Sequence, residues 1–429
     1  MAKTYEPPKG TRDFLFDDMR VRGAVFDKLR RFFQLYGFDE LDTPAFEYLE
    51  VLTLKSGPGA ENEIYSFVDK GDRKLGLRFD LTSSTGRVVA SHPELPRPIY
   101  RYQIGKVWRY DRPQAGRYRE FYQADADILG SYSTDCEVDL LLMATEVLRG
   151  FELPNYKLVI NNRKILDAQL EVAGLQAAQK PEALRALDKL HKIGRDGVKK
   201  ELVGRGFSDE LCEAFFTSVV VDTLDDAEQR VRGHARGEEG VRELREIFAK
   251  AERLGFRDRL AFDWTLVRGL DYYTGPIFEA HAETQAGVGF GSFAGGGRYD
   301  DLVGLYGGQA QGAVGLSFGV ERLIGLLAER QSAQSAGPSA ILVAPLSDGA
   351  LATAQALALA LRRADVAVRL LPVGKRDKVF KYSTATKLPR VILVGDDEAA
   401  SGVFGLRDAE SKQEQKGTIA ELIAILKRG

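Results

Sequence analysis

Cysteine and histidine are scarce in this chain. Among its 429 residues there are two cysteines, Cys136 and Cys212, and four histidines. The spacing of the cysteines fits neither a CxxC redox pair nor a four-ligand zinc site. The scattered histidines build no metal site either, so we expect no metal ion held by the protein alone.

The sequence also lacks the segments that direct a chain into or across a membrane. It contains no run of about 18 uninterrupted apolar residues. Residues 1–13 carry Pro7, Pro8 and mixed charges in place of a basic segment followed by an apolar one, so no secretory signal is predicted. We expect a cytoplasmic protein without a membrane partner.

The chain has no overall excess of charge. Its 60 Lys and Arg residues face 62 Asp and Glu residues, a net charge of -2. Two segments are locally basic: residues 97–119 hold seven basic residues and one acid, and residues 362–390 hold nine and two. Because cationic side chains gain affinity for phosphates by releasing counterions, this pattern suggests a polyanion contacted in two places. Two solvated surfaces would give the same pattern.

Three nucleotide or hydrolase motifs are missing or fail in context. There is no GxxxxGK[ST] loop, so any use of ATP proceeds without a P-loop. Residues 315–319 spell GxSxG, but the hydrolase elbow needs a downstream histidine and the last one, His281, lies upstream. Residues 289–294 fit GxGxxA, yet the glycines at 295–297 would start a dinucleotide-binding helix badly. We interpret 315–319 as a strand end that leads into a helix over 320–327.

Hydrophobic periodicity predicts an α+β protein. In the first part of the chain a helix is expected over 17–38 and an extended segment over 38–54. Strand-like runs follow at 74–81, 99–109 and 120–129, which indicates an antiparallel sheet with helices against it.

After residue 161 the sequence pattern changes from helical to glycine-rich, and then, after a linker, to alternating strands and helices. Residues 162–259 read as a mostly helical insertion, and strand signals return at Ala261. The segment 287–319 contains 12 glycines in 33 residues, so the backbone there must approach something closely. A linker at 330–338 leads to apolar runs at 341–346, 366–372 and 390–395 that alternate with helices and predict a small, mainly parallel α/β domain.

One strand pair carries an unusual polar face. A strand ending at Arg109 enters a polar loop with Pro113 and Gly116. The returning strand then places five residues on one face at period two, namely Arg119, Phe121, Gln123, Asp125 and Asp127. Acids on a sheet face beside a cationic loop are costly unless they bind something.

These segments resemble a known enzyme family. Residues 102–130 and 312–323 resemble motifs two and three of the class II aminoacyl-tRNA synthetases, and residues 36–44 resemble motif one, which builds the dimer interface in that class. Residues 266–275 and 294–300 are similar to the two histidine-specific motifs of the histidyl-tRNA synthetase family. The resemblance extends from Lys9 nearly to the end of the chain.

The resemblance implies a fold, an activity and partners. It implies a class II antiparallel catalytic core over 1–161 and 261–330, a helical insertion domain over 162–260 and an α/β anticodon-binding domain over 338–429. The implied enzyme is a homodimeric ligase that uses ATP, bound with Mg²⁺, to activate L-histidine. It would then transfer histidine from the adenylate to the 3′ end of tRNA(His).

The resemblance also assigns roles to residues. The implied catalytic arginines are Arg109 and Arg322, on either side of ATP, and Arg268, which contacts the α-phosphate and the substrate carboxylate; Phe121 stacks on adenine. The implied histidine-binding residues lie around the α-amino group and the imidazole, and are Asp80, Thr82, Gln123, Asp127, Tyr272 and Tyr273. The tRNA acceptor end would meet Arg112, Gln114 and Arg117. A non-catalytic paralogue that senses histidine as a regulatory subunit of ATP phosphoribosyltransferase is the alternative, although such paralogues typically lack the anticodon-binding domain.

Overall fold

The computed structural model describes residues 5–55, 60–110, 118–153, 155–267, 272–283, 289–329, 340–409 and 411–428. The chain forms two compact units, Met1–Ser335 and Ala336–Gly429. The finer division of the first unit into two core segments and an insertion domain stays a prediction. Among the described residues, no helix combines the length and the apolar character needed to cross a membrane.

The first unit mixes strands and helices. Its strands are β1 Asp39–Glu40, β2 Phe46–Tyr48, β3 Ser66–Val68, β4 Lys74–Leu77, β5 Ile99–Trp108, β6 Glu120–Leu129, β7 Tyr156–Asn162, β8 Leu260–Phe262, β9 Pro276–Glu283, β10 Gly289–Arg298 and β11 Ala313–Gly319. Its helices are α1 Phe16–Leu35, α2 Leu49–Thr53, α3 Thr82–Ser91, α4 Asp135–Gly150, α5 Arg163–Val172, α6 Lys180–Leu187, α7 Leu190–Gly204, α8 Asp209–Val219, α9 Leu224–Arg230, α10 Ala235–Arg253, α11 Leu302–Leu305 and α12 Val320–Glu329.

Eight of the described strands form the main sheet, in the order β1-β5-β6-β11-β10-β9-β7-β8. Its pairs are antiparallel except at the two edges, where β1 runs parallel to β5 and β8 parallel to β7. Strands β2, β4 and β3 form a separate small sheet. The predicted α+β fold with a large antiparallel sheet is confirmed.

The two faces of the main sheet differ in chemistry because side chains alternate along a strand. Even-numbered residues of β6, such as Ala124, Ala126 and Ile128, are buried in a core that also contains Val25 and Leu29 of α1. Odd-numbered residues of β5, β6 and β11 therefore occupy the opposite face. The apolar face anchors the sheet, and the polar face is left for function.

Helix α1 follows its apolar spacing. Val25, Leu29 and Phe33 recur every four residues and are buried, which places them on one side of the helix. The helix ends at Leu35, and Gly37 has a φ of 76°, a left-handed conformation that glycine adopts without steric cost. The predicted helix over 17–38 is thus confirmed with slightly earlier bounds.

The predicted extended segment over 38–54 is wrong at its end. Strands β1 and β2 account for part of it, but residues 49–53 form helix α2. Pro44 disfavours a helix only at neighbouring residues, and α2 begins five residues after it. The helix contains good helix formers such as Leu49, and its Val51 and Leu52 side chains are buried. The strand expected over 74–81 also stops early, at Leu77.

The second unit contains a mixed sheet. Its elements are β12 Ile341–Pro345, α13 Leu351–Arg363, β13 Val368–Leu370, α14 Arg376–Thr386, β14 Arg390–Val394, α15 Asp396–Ser401, β15 Phe404–Asp408, β16 Glu414–Gly417 and α16 Ile419–Arg428. The strand order is β13-β12-β14-β15-β16. The first three strands are parallel, as predicted, and β15 and β16 form an antiparallel extension that the sequence analysis did not foresee.

Candidate active site

The polar face of the main sheet brings distant parts of the chain together. In the β5–β6 pair, Arg101 lies opposite Asp127 and Gln103 lies opposite Asp125. On the other side of β6, Ser317 of β11 lies opposite Asp125. The two acids of β6 therefore lie between β5 residues that come about 25 positions earlier in the sequence and a β11 residue that comes about 190 positions later.

Asp127 is held by two buried partners. Its Oδ2 lies 2.5 Å from Nη2 of Arg101, and the side chains of both residues are 3% exposed. Its Oδ1 accepts a hydrogen bond from the hydroxyl of buried Tyr299. Burial raises the pKa of Asp127, and the Arg101 guanidinium only partly opposes this. The contact with Arg101 is an ion pair without the alignment of a hydrogen bond.

Asp125 differs from its neighbour because it has no cation of its own. It is 3% exposed, and its Oδ1 has no hydrogen-bond partner. Burial, and then the nearby Asp127 carboxylate, raise the pKa of Asp125 to about 7, against the opposing influence of Arg101 and of a hydrogen bond from Ser317. Asp125 and Asp127 share one guanidinium, that of Arg101. The protonation of Asp125 therefore depends on the charged groups around it.

Glycine lets the neighbouring strands approach this acidic pair. A Cβ on Gly315 would lie 1.9 Å from Oδ1 of Asp127, and one on Gly296 would lie 1.8 Å from the carbonyl oxygen of Gly315. Neither neighbour can yield, since one is backbone and the other is a tightly held carboxylate. The close approach expected from the glycine-rich segment is therefore present at β10 and β11.

A second buried ion pair stands beside the acidic face. Nζ of Lys55 lies 2.6 Å from Oδ2 of Asp80, and the Lys55 side chain is fully buried. The backbone N–H of Ser83 donates to Oδ1 of Asp80 at 3.0 Å. Burial would raise the pKa of Asp80, but the Lys55 ammonium and the Ser83 hydrogen bonds outweigh it and hold the pKa below its usual range.

Three tyrosines adjoin these groups. The ring centroids of Tyr272 and Tyr273 are 4.7 Å apart, and those of Tyr272 and Tyr299 are 5.8 Å apart. Nζ of Lys55 lies 4.3 Å from the centroid of the Tyr272 ring. Burial raises the pKa of Tyr272 and Tyr299 well above the ordinary value, so both phenols keep their protons. Each phenol can therefore act as a hydrogen-bond donor, as Tyr299 does towards Asp127.

Thr82 and Gln123 also belong to this region. Thr82 is the first residue of α3 and is buried, two positions after Asp80. Gln123 lies on the same face of β6 as the two acids, and its Nε2 donates to Oγ of Ser317 at 2.7 Å. Oε1 of Gln123 is buried without a partner and can still accept a hydrogen bond.

Arg109 and Phe121 meet where β5 ends and β6 begins. The Arg109 guanidinium lies 5.3 Å from the centroid of the Phe121 ring, and its Nε donates to the carbonyl of Phe79 at 3.0 Å. A backbone hydrogen bond from Arg109 to Arg119 continues the strand pairing beyond Trp108. A cation and an aromatic ring side by side can receive a phosphate and a flat base.

Arg322 approaches from the opposite side of β6. Its Nη1 donates to the carbonyl of Ser292 on β10. It follows Gly319, which lies opposite Gln123 in the β6–β11 register. The adjacent Glu321 accepts hydrogen bonds from Nη2 of Arg22 and from the backbone N–H of Tyr122, so α12 is fixed against both α1 and β6.

Four of the residues assigned from the sequence lie outside the described part of the chain: Arg112, Gln114, Arg117 and Arg268. The others lie on or beside the polar face. Three groups that the sequence assignment omitted are also there: Lys55, Arg101 and Tyr299. Arg101 lies in the basic stretch 97–119 and Tyr299 lies in the histidine-specific motif 294–300, so the sequence offered a signal for both. Lys55 precedes a turn and lies in no such motif.

Comparisons with known proteins agree with this architecture. A family model described as Histidyl-tRNA synthetase matches residues 10–323, and one described as Anticodon binding domain matches residues 340–429. The chain belongs to the histidyl-tRNA synthetase family. The resemblance read from the motifs is confirmed, and with it the class of fold.

Individual relatives match over nearly the whole chain. The histidine–tRNA ligase of Dinoroseobacter shibae is 37% identical over 445 residues, which cover 94% of this chain and 89% of that protein. The Bacteroides fragilis (strain YCH46) histidine–tRNA ligase is 35% identical over 450 residues and covers 98% of both. The crystal structure of histidyl-tRNA synthetase from Nostoc sp. PCC 7120 superposes with a TM-score of 0.83 at 28% identity, covering 99% of each chain.

Proposed function

We propose that this chain is a ligase that activates L-histidine with ATP and transfers it to tRNA(His). The observation that carries the proposal is that family and site agree. A chain of this family has a buried acidic face beside Arg109, Phe121 and Arg322. In the first step a carboxylate oxygen of histidine bonds to the α-phosphorus of ATP, and pyrophosphate leaves. In the second a terminal ribose hydroxyl of the tRNA takes the acyl group and AMP leaves.

The first step requires two anions to be held together while charge grows at phosphorus. Fixed guanidinium groups suit this task because they form paired hydrogen bonds to phosphate oxygens and need no reorganisation. We assign it to Arg109 and Arg322, which approach β6 from its two sides, and to Arg268. Phe121 offers a flat apolar surface for adenine. No covalent enzyme intermediate is needed.

The amino acid would lie along β6. Asp80, Thr82 and Gln123 provide oxygen acceptors for the α-ammonium group, and the imidazole would lie over the acidic part of the face near Tyr272 and Tyr273. A site lined by unpartnered acceptors rejects an apolar side chain of similar size, because the acceptors would be buried without donors. This is a physical basis for selecting histidine.

We propose that Mg²⁺ arrives with the nucleotide. Among the described residues, no group of three or more His, Cys, Asp or Glu side chains is placed to hold a metal. Mg²⁺ in nucleotide sites takes many of its ligands from phosphates and water, so few protein ligands are required. When bound, it would neutralise phosphate charge; the residues of this chain would position the nucleotide.

The tRNA would contact both units. We assign its acceptor end to Arg112, Gln114 and Arg117, and its anticodon to the unit that begins after the linker, proposed as residues 338–429. The basic stretch at 362–390 falls in that unit and suits a phosphate backbone.

The functional unit would be a homodimer. Next to the motif-one segment, the small sheet exposes a patch of large apolar side chains, each between 42% and 60% exposed: Phe46, Tyr48, Phe67 and Val68. Contiguous exposed apolar surface of this kind favours a protein partner. Light scattering should give twice the chain mass, and Phe67→Asp should halve it, whereas Leu359→Asp, an exposed leucine of α13, should not.

The activity test is exchange of labelled pyrophosphate into ATP. Exchange should require L-histidine, and Arg268→Ala should reduce it by at least about 1,000-fold because a transition-state contact is lost. Arg149→Ala, which removes a surface arginine paired with Glu146, is the matched control and should exchange normally. Exchange with another amino acid, or with none, would contradict the proposal. Histidine binding without tRNA charging, with co-purification of a phosphoribosyltransferase, would support the regulatory paralogue instead.

A further inference from the structure

The segment from Gly10 to Phe14, which we call the N-terminal brace, lies against the residues that lead into β6. The carbonyl of Gly10 accepts a hydrogen bond from the backbone N–H of Arg119 at 2.8 Å. The guanidinium of Arg12 lies between two aromatic rings. Its central carbon is 4.5 Å from the centroid of Phe14 and 4.1 Å from that of Tyr118. The brace therefore holds the beginning of β6 through both backbone and side-chain contacts.

Arg22 of α1 continues these contacts into the protein. Its guanidinium carbon lies 3.9 Å from the centroid of the Phe14 ring and 5.1 Å from that of Tyr122 on β6. Its Nη2 donates to Oε1 of Glu321 at 2.8 Å, and these two side chains are only 3% and 5% exposed. A planar guanidinium can stack on rings and pair with a carboxylate at the same time. Arg22 therefore joins the brace to β6 and to α12.

Glu321 holds β6 where β11 no longer pairs with it. Strand β11 ends at Gly319, which lies opposite Gln123. One residue earlier on β6, the backbone N–H of Tyr122 donates to Oε2 of Glu321 at 2.9 Å. The carboxylate thus binds β6 with one oxygen and Arg22 with the other. A buried carboxylate requires such partners, so removal of one of them disturbs both elements.

These contacts flank the residues that we assign to ATP. Phe121 lies between the two places at which β6 is held, and Arg322 directly follows Glu321. Arg109 is tied to the same region, because its backbone N–H donates to the carbonyl of Arg119 at 2.9 Å. The brace and Arg22 therefore fix the spacing between the groups on the two sides of the nucleotide.

We infer that Arg12 and Arg22 are positioning residues for ATP, which act through β6 and α12. The inference rests on the proposed function, since it takes Arg109, Phe121 and Arg322 as the residues that contact the nucleotide. Donors that are already in place bind a phosphate more strongly than donors that must first be ordered. Loss of the brace contacts therefore weakens ATP binding and affects the amino acid much less.

The first test removes the buried ion pair without leaving a buried charge. In Arg22→Met/Glu321→Gln the glutamine can still accept from Tyr122. The dissociation constant for ATP, measured by isothermal titration calorimetry, should rise at least about 10-fold. In pyrophosphate exchange the KM for ATP should rise by a similar factor, and the KM for L-histidine should stay within about threefold. A purely structural role would lower the active fraction, and with it kcat, but would leave both KM values unchanged.

The second test uses Arg12, which is exposed, so that its replacement carries little risk to folding. Arg12→Met and Tyr118→Leu should each raise the dissociation constant for ATP about threefold. Tyr118→Phe keeps the ring and should restore the wild-type value. Arg20→Met is the matched control and should bind ATP normally, because Arg20 lies on the same helix as Arg22 but pairs with Asp17 at the surface.

The outcomes separate the inference from the function on which it rests. If wild-type protein binds no ATP, both fall. If it binds ATP but its exchange does not require L-histidine, the proposed function falls and the ATP dissociation constants still decide the inference. Wild-type affinity for ATP in Arg22→Met/Glu321→Gln or in Arg12→Met, or equal rises in the two KM values, would overturn the inference alone. Circular dichroism checks each fold, and Arg22→Lys, which keeps the charge but not the planar group, repeats the measurement should the double variant fold poorly.

Discussion

At the scale of single residues, Asp125 links pocket chemistry to stability. Its pKa is raised to about 7 by burial and by Asp127, so the folded protein binds this proton more tightly than the unfolded chain does. A carboxyl with a raised pKa makes the folded state progressively less stable as the pH increases from about 4 to about 7. Asn at this position cannot titrate, whereas Arg101, Asp80 and Asp127 remain in both proteins.

The free energy of unfolding of Asp125→Asn, relative to wild type, should therefore increase by about 2 kcal/mol between pH 5.5 and pH 8. Urea unfolding at the two pH values, without substrate, measures it. Asp135→Asn is the control, since the pKa of that carboxyl is lowered by its hydrogen bond to Lys250 and it is ionised throughout this range. A difference that does not change with pH would mean that Asp125 titrates at its ordinary value in the folded protein.

Lys55 should matter for stability because its partner is buried with it. Lys55→Met leaves the Asp80 carboxylate without its cation and should lower the free energy of unfolding by about 3 kcal/mol. The double variant Lys55→Met/Asp80→Asn should recover at least about half of that loss, since no uncompensated charge remains. Equal losses in the single and double variants would mean that the ion pair is not what stabilises this position.

The sequence could predict which residues share a face, but not all the partners they meet there. Period two along β6 correctly placed Gln123, Asp125 and Asp127 together, because alternation is a local property. Lys55 contacts Asp80, 25 positions away, and Tyr299 contacts Asp127, 172 positions away. No local pattern encodes such contacts, and only Tyr299 lay within a motif. The roles assigned from the resemblance stay predictions.

At the scale of elements, β10 and β11 depend on the absence of side chains. Gly296→Ala would place a Cβ 1.8 Å from the Gly315 carbonyl oxygen, so the strands must separate and their hydrogen bonds weaken. We expect a loss of at least about 3 kcal/mol in the free energy of unfolding. Gly304→Ala in α11 meets nothing within 4 Å and should change stability by less than about 1 kcal/mol. Thermal unfolding compares them; equal stabilities would contradict the close approach.

Element boundaries were predictable where one physical signal dominated. The period-two run at 120–129 gave β6 with both ends correct, and the GxSxG segment is the end of β11, followed directly by α12, as expected. Residues 49–53 were misread because a short helix offers too few residues for its period to be seen. The antiparallel β15 and β16 were missed since their partners are set by tertiary packing.

At the scale of the whole molecule, each compact unit has its own buried core. Ile341, Leu357 and Leu422 belong to the core of the second unit, separate from that of the main sheet. A chain of residues 1–335 should therefore fold and retain histidine-dependent pyrophosphate exchange within about tenfold, but lose most tRNA charging. Residues 336–429 should fold alone by circular dichroism. An unfolded 1–335 fragment, or one that charges tRNA at the full rate, would contradict this division.

The order of strands in the main sheet also sets when the pocket can exist during synthesis. Strand β6 lies between β5, its predecessor in the chain, and β11, which is completed only at Gly319. A ribosome that has just made Asp127 needs roughly 10 to 40 s to reach that point at ordinary elongation rates. Throughout that interval the two acids of β6 have only one flanking strand, so the polar face of the main sheet cannot be complete until the ribosome has passed Gly319.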